Sequence, residues 1–315
     1  MMEDKHNGQL SAGPTITSDN LVAMRHLANQ VPLHKQKKVL NDLAGVHTSN
    51  IRGRGVDFSE VRAYQAGDDI RAMDWRVTAR NQKPHIKIFR EERERPIMLV
   101  CDLRSSMFFG TQHAFKSVLA ADLISLFAWS AMGNGDRIGA LLFDNNRELD
   151  LRPKPGRKQV MHLLHELSSF EAAQSPATPG RLAEMLRHLR RVCKPGSAIY
   201  LVSDWTGFDY ECETQLYQLT RHNDVIAIKL FDQLEAQLPP PGSYPLTDGQ
   251  QRIQLESFSA QQREDHQQKF DQHKEQLTRS LLKQGIPLIN LSAKDDVIKE
   301  LRTGFGLMPK QRGGR

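Results

Sequence analysis

The chain has 315 residues, 43 lysines and arginines against 37 aspartates and glutamates, a formal net charge of +6, and 39% apolar and 7% aromatic residues. That is enough chain for two domains, or one large domain with an appendage, burying roughly 75% of its extended-state surface without needing disulfides or a structural metal. Cys101, Cys193 and Cys212 are dispersed and odd in number, which argues against a secreted disulfide framework and for a reducing compartment.

Residues 1 to about 18 are polar, with Gly and Pro, and read as flexible. They contain acids and no apolar run, so no signal peptide is expected and the location inferred is cytoplasmic. LVAMRHLANQV (Leu21 to Val31) and KQKKVLNDLAGV (Lys35 to Val46) read as two short amphipathic helices separated by Pro32. Residues 51–95 form a charged block with eleven basic and eight acidic residues, expected to be a small β-containing subdomain. From Pro96 to about residue 305, strands and helices alternate, which predicts an α/β domain with an open, mostly parallel sheet flanked by helices. PIMLVCD, DRIGALLF, SAIYLVSD, DVIAIKLF and IPLINLSA are the strands, and RELDLRP returns on DRIGALLF as a hairpin. VLAADLISLFAWSAMG (Val118 to Gly133) is shorter than the ~20 residues of a membrane span and carries Asp122, so it reads as a buried helix and no membrane segment is expected. A Pro/Gly-rich insertion at 237–257 precedes a long polar helix from about Ser259 to Lys283, and 306–315 is a basic tail.

In such a sheet the ligand site lies beyond the carboxyl ends of the strands, where the strand order reverses. Asp102 closes PIMLVCD and Asp204 closes AIYLVSD; Arg104, Ser105 and Ser106 follow the first, and Thr178 lies in the loop SPATPGRL. Either aspartate alone is explained by turn formation or helix capping. Together with Ser106 and Thr178 they form an all-oxygen set of the kind that suits Mg²⁺.

This constellation resembles the metal-ion-dependent adhesion site of von Willebrand factor type A domains. The longer pattern GRGVDFSEVRAYQAGDDIRAMDWRVTAR, FREERER, SSMFFG and LVSDW resembles the domain-of-unknown-function 58 family, over about Gly53 to Phe305. The resemblance implies a von Willebrand A-like domain with an N-terminal extension. It also implies a non-catalytic partner or adaptor of a MoxR-type AAA+ ATPase that recruits a protein client, with no small-molecule substrate. Asp102, Arg104, Ser105, Ser106, Thr178 and Asp204 would form the partner-binding edge. Arg62, Asp68, Asp69, Arg71 and Trp75 would form a family-signature surface, with Trp75, Phe58 and Tyr64 spaced like packing anchors.

One position departs from the adhesion-site pattern. Arg104 stands where a serine would touch the metal, and guanidinium has no lone pair to offer and stays charged. The expectation is therefore a degenerate site with no cofactor, in which Arg104 bridges Asp102 and Asp204 as a cation would and is able to grasp a partner carboxylate. Intact, the site would hold Mg²⁺ on Asp102, Ser106, Thr178 and Asp204. Two other classes compete: a metal-dependent hydrolase using Asp102 and Asp204, and an RNA-binding protein using the arginines before Pro96. The first lacks a visible general base, and in the second the acids nearly balance the bases, so a nucleic-acid partner is not expected. GNGDRIG precedes a strand instead of opening a helix, no Walker A lysine motif is present, and no G-x-S-x-G elbow supports Ser106 with His113 as a hydrolase.

Overall fold

The computed structural model describes residues 10–33, 57–65, 73–90, 95–170, 178–247 and 252–307. The expected helix at Lys35–Val46, the signature residues Asp68, Asp69 and Arg71, and the tail from 308 lie outside these. The chain divides into two compact units, residues 48–95 and the remainder.

In the smaller unit, β1 (Asp57–Ala63) pairs antiparallel with β2 (His85–Arg90). Between them lies α3 (Trp75–Asn81), since the larger unit begins with α1 (Ser18–Ala23) and α2 (Arg25–Ala28). Asp74 caps α3 by accepting from the N–H groups of Arg76 and Val77 at 3.0 and 3.2 Å. Trp75 occupies the first helical position of α3 and is exposed. Tyr64 is half-buried, and Arg62 pairs through its backbone with Ile86.

The larger unit is built on a six-stranded sheet. Its strands are β3 (Pro96–Asp102), β4 (Arg137–Phe143), β5 (Glu148–Lys154), β6 (Ala198–Ser203), β7 (Asp224–Phe231) and β10 (Leu288–Ser292), in the order β10-β7-β6-β3-β4-β5. All neighbours are parallel except β5, which returns antiparallel on β4. At the β4–β5 bulge, a Cβ on Gly139 would stand 2.8 Å from the Leu151 carbonyl oxygen, so this glycine serves close strand approach.

The pleat divides the apolar side chains between two cores. α4 (Lys116–Gly133), α5 (Arg157–Ser168) and α10 (Val297–Gly304) cover one face. α6 (Arg181–Val192), α7 (Tyr210–Thr220) and the C-terminal part of α9 (Ala260–Lys283) cover the other. A short α8 (Gln233–Ala236) follows β7, and β8 (Ser243–Thr247) pairs with β9 (Arg252–Glu256) within the expected insertion.

Residues 10–18 were expected to be flexible, and here the structure differs. α4 is buried on all sides from Lys116 to Ala131, and residues 10–33 supply part of its cover through Leu21, Met24, Leu27 and Val31. Four polar side chains of α4 also find partners there. Asp122 accepts from the Ser11 N–H and hydroxyl at 2.7 Å each, Ser125 and Trp129 donate to the Leu21 carbonyl, and Ser130 donates to that of Val31. An apolar helix with embedded polar atoms needs a cover that brings backbone partners, and this segment does.

Candidate functional site

β3 and β6 are neighbours, yet the chain leaves β3 toward β4 on one side and returns to β6 on the other, so strand order reverses between their carboxyl ends. The register sets Cys101 beside Val202, and hence Asp102 beside Ser203. The pleat sends those two side chains toward the face of α6, α7 and α9, and sends Asp204 toward α4.

Asp102 is fully buried. Arg104 folds back from an extended backbone and grips it with both arms of its fork, Nε to Oδ1 at 2.9 Å and Nη2 to Oδ2 at 2.6 Å. The Arg104 N–H adds a bond to Oδ1 at 3.1 Å, and the Ser203 hydroxyl donates to Oδ2 at 2.6 Å. The same Nη2 lies 3.9 Å from Asp204 Oδ1, and the guanidinium stands 5.9 Å from the centre of the Phe143 ring.

Asp204 has a cation of its own. Lys116 donates to its Oδ2 at 3.2 Å and to Glu235 Oε1 at 2.6 Å, while the Thr206 N–H donates to Oδ1 at 2.9 Å and the Ser106 hydroxyl bonds the same carboxylate. Lys116 stands in the first turn of α4, where the helix dipole opposes a cation, so the carboxylates are what make that position tenable. Glu235 also accepts from the Asp232 N–H, closing a capping box on α8, and Asp232 in turn accepts from Thr111. Charge thus runs from Asp102 through Arg104, Asp204 and Lys116 to the half-exposed Glu235.

Burial pushes the Asp204 carboxyl up, but Lys116, the Thr206 N–H, Ser106 and Arg104 outweigh it and hold the group below the usual carboxylate range. For Lys116 and Arg104 burial lowers the pKa, and their carboxylate partners more than reverse it. Next in the chain, Trp205 adopts a left-handed backbone (φ 62°), held by its Nε1–H to the Ile228 carbonyl at 3.2 Å and its N–H to Ser203.

Of the residues singled out in the sequence, Asp102, Arg104, Ser106 and Asp204 come together. Ser105 stands beside them on the rim, exchanging hydrogen bonds with Asn145. Thr178 is exposed, and among the described residues no hydrogen bond or ion pair joins it to either aspartate. One expectation needs correction: Arg104 is 4% exposed with its fork committed to Asp102, so it is not free to grasp a partner carboxylate. The donor set does not fit Mg²⁺ either, because a guanidinium and an ammonium occupy the oxygens a cation would need, and Thr178 stands apart. Among the described residues no three His, Cys, Asp or Glu side chains cluster as metal ligands. Lys116, Ser203, Asn145 and Glu235 were not anticipated. Lys116 carries a usable signal, a cation opening a largely apolar helix, and Asp232-x-x-Glu235 reads as a capping box.

Beside α8 a groove of 740 Å³ opens, with Leu234, Leu238, Pro240 and Tyr244 as apolar wall and Gln267 and Arg263 as polar rim. Among the described residues no helix is long and apolar enough to cross a membrane.

The family described as "Protein of unknown function DUF58" matches residues 60–276. The uncharacterized proteins Rv1480 of Mycobacterium tuberculosis and Mb1516 of Mycobacterium bovis are each 29% identical over 268 residues, 84% of either chain. Among solved structures, the conserved hypothetical protein BatB of Bacteroides thetaiotaomicron aligns over 68% of this chain and 98% of its own, at 13% identity and a TM-score of 0.43. An aerotolerance-related membrane protein of Bacteroides fragilis aligns over 68% and 100%, at 14% identity and 0.42.

Proposed function

We propose that this chain, which belongs to the DUF58 family, is a non-catalytic protein-interaction module of von Willebrand A-like architecture, working in the cytoplasm as partner or adaptor of a MoxR-type AAA+ ATPase. The observation that carries the reading is the closure of the switch-point crevice by its own ion pairs. Both carboxylates that would hold a cation or activate water are spent on Arg104 and Lys116, so the loops are set in place without a ligand and neither group is left as a general base. A preformed edge of this kind loses little freedom on docking. The buried residues Asp102, Arg104 and Asp204 position it, while Ser105, Ser106 and Glu235 on the rim and the neighbouring groove offer contact surface. The three cysteines are all free thiols, as a reducing compartment requires. The ATPase and its client enter through the family resemblance of the sequence.

The test is affinity capture of the tagged protein from its own cells with ATP and Mg²⁺, beside a Ser105→Trp form that crowds the rim. The expected result is an AAA+ ATPase recovered with the native chain and reduced at least tenfold by Ser105→Trp, at an unchanged thermal midpoint. Recovery of no AAA+ ATPase, or equal recovery by both forms, contradicts the reading.

A further inference from the structure

The edge of the sheet opposite the crevice, where its parallel strands begin, carries charge of a different kind. Ile138 at the start of β4 registers with Lys154 at the end of β5, and Ala198 at the start of β6 with Asp224 at the start of β7. The segment from Arg152 to Lys158 turns the chain from β5 into α5 at this edge. Pro153, Pro155 and Gly156 (φ 91°) fix its path, and Arg152, Lys154, Arg157 and Lys158 are its basic side chains. Arg137, opening β4, donates from Nη2 to the Pro153 carbonyl at 3.3 Å. Three helices end here as well: Arg190 and Arg191 stand in the last turn of α6, Arg221 caps α7 and Lys283 closes α9. The loops after α6 and α7 are joined, the Gly196 N–H donating to the His222 carbonyl at 2.7 Å and the Ser197 N–H to Asn223 Oδ1 at 3.1 Å.

All of these cations are exposed, and among the described residues none of those on the turn or the helix ends is in an ion pair. Farther up the same helices the pattern differs: Arg187 of α6 pairs with Glu211, and Arg279 of α9 with Glu275. Helix dipoles draw lysine and arginine to C-terminal turns, which accounts for Arg190, Arg191 and Lys283. The dipole does not account for Arg152 and Lys154 on a strand, and it opposes Arg157 and Lys158 in the first turn of α5. Exposed apolar side chains stand among the cations. Leu282, 72% exposed, precedes Lys283; Tyr217, 59% exposed, lies one turn before Arg221 on the same face of α7; and Met161 lies one turn after Arg157 on the same face of α5.

We propose that this edge is a docking surface for an anionic phospholipid bilayer, its cations meeting the headgroups while Leu282, Tyr217 and Met161 enter the interface. Charge complementarity calls for an anionic partner, and the acids at the same strand ends are Asp136 and Asp224 alone. The apolar side chains choose among anionic partners, because a bilayer offers acyl chains directly beneath its charge and a nucleic acid does not. The cations also project from helix ends and a turn, which suits a broad, yielding surface. The proposal goes beyond the interaction-module reading and does not depend on it. Vesicle binding and ATPase capture are separate measurements, and failure of either leaves the other standing.

The test is co-sedimentation of the full chain with vesicles of phosphatidylcholine alone and of phosphatidylcholine with about 30% phosphatidylglycerol, the headgroup charge being the variable. The anionic vesicles should bind at least tenfold more tightly, and raising salt from about 0.1 to about 0.5 M should release the protein. Arg157→Glu/Lys158→Glu and Arg190→Gln/Arg191→Gln should each weaken binding at least fivefold. The first of these pairs places acids where the dipole of α5 favours them, so its thermal midpoint should be unchanged or raised. Lys294→Glu/Lys299→Glu, an equal change of charge on exposed positions at the crevice edge, should bind as the native chain does. Leu282→Ser/Tyr217→Ser should weaken binding at least threefold at unchanged charge. Equal or undetectable binding to the two vesicles, binding indifferent to salt, full binding by any variant of this edge, or an equal loss in Lys294→Glu/Lys299→Glu overturns the surface. Polyuridylate bound as tightly as the anionic vesicles would assign it to nucleic acid and overturn the bilayer.

Discussion

Asp204 and Asp122 are both buried, 5% and 1% exposed, yet their surroundings drive them in opposite directions. Asp204, at the carboxyl edge, is held ionised by Lys116 and Arg104. Asp122, inside α4, meets only the neutral donors of Ser11, and burial pushes its carboxyl up to about 6. Burial alone penalises the charged form, and a matched cation reverses the penalty; neutral hydrogen bonds only reduce it. Asp204 is thus locked by counter-charge, while Asp122, without one, is raised to about 6.

The comparison breaks most visibly if the cation is removed. Lys116→Met leaves Asp204 and Glu235 without their shared partner, and the expected loss is about 3–5 kcal/mol in urea unfolding at pH 7; a loss under about 1 kcal/mol would mean that Arg104 alone holds the edge. The second effect is pH dependence. A carboxyl whose folded pKa is raised contributes most below its unfolded value near 4, and that contribution is lost as pH rises through the folded value. For Asp122 the fall amounts to about 3 kcal/mol between pH 4 and 6. Asp204, with a lowered folded pKa, has the opposite sign: its contribution is present above pH 4 and lost as pH falls. Asp122→Asn should flatten the slope from pH 4 to 6 and leave the acid limb; an unchanged profile would remove Asp122 from the account. The smallest effect is Ser11→Ala, which deletes one hydrogen bond, costs about 1 kcal/mol and moves the Asp122 midpoint to higher pH in the same measurement.

Much of this architecture is legible in the sequence because a parallel sheet writes itself as apolar runs ending in polar loops. PIMLVCD and AIYLVSD locate both aspartates and the switch point between them, and Arg104 two residues past a strand end is near enough to reach back. Lys116 is not legible in this way. It lies 88 residues from Asp204, and only the sheet's strand order brings the two together. The packing of residues 10–18 was hidden for a related reason, since Ser11 contributes an N–H and a hydroxyl to Asp122, which no apolar pattern records.

Internal cations, Arg104 and Lys116, close the crevice. Calorimetric titration of the native chain with Mg²⁺ and Mn²⁺ tests it most directly. The account predicts no saturable binding at millimolar metal; one-to-one binding at micromolar metal, lost in Asp204→Ala, would contradict it and restore a metal-dependent edge.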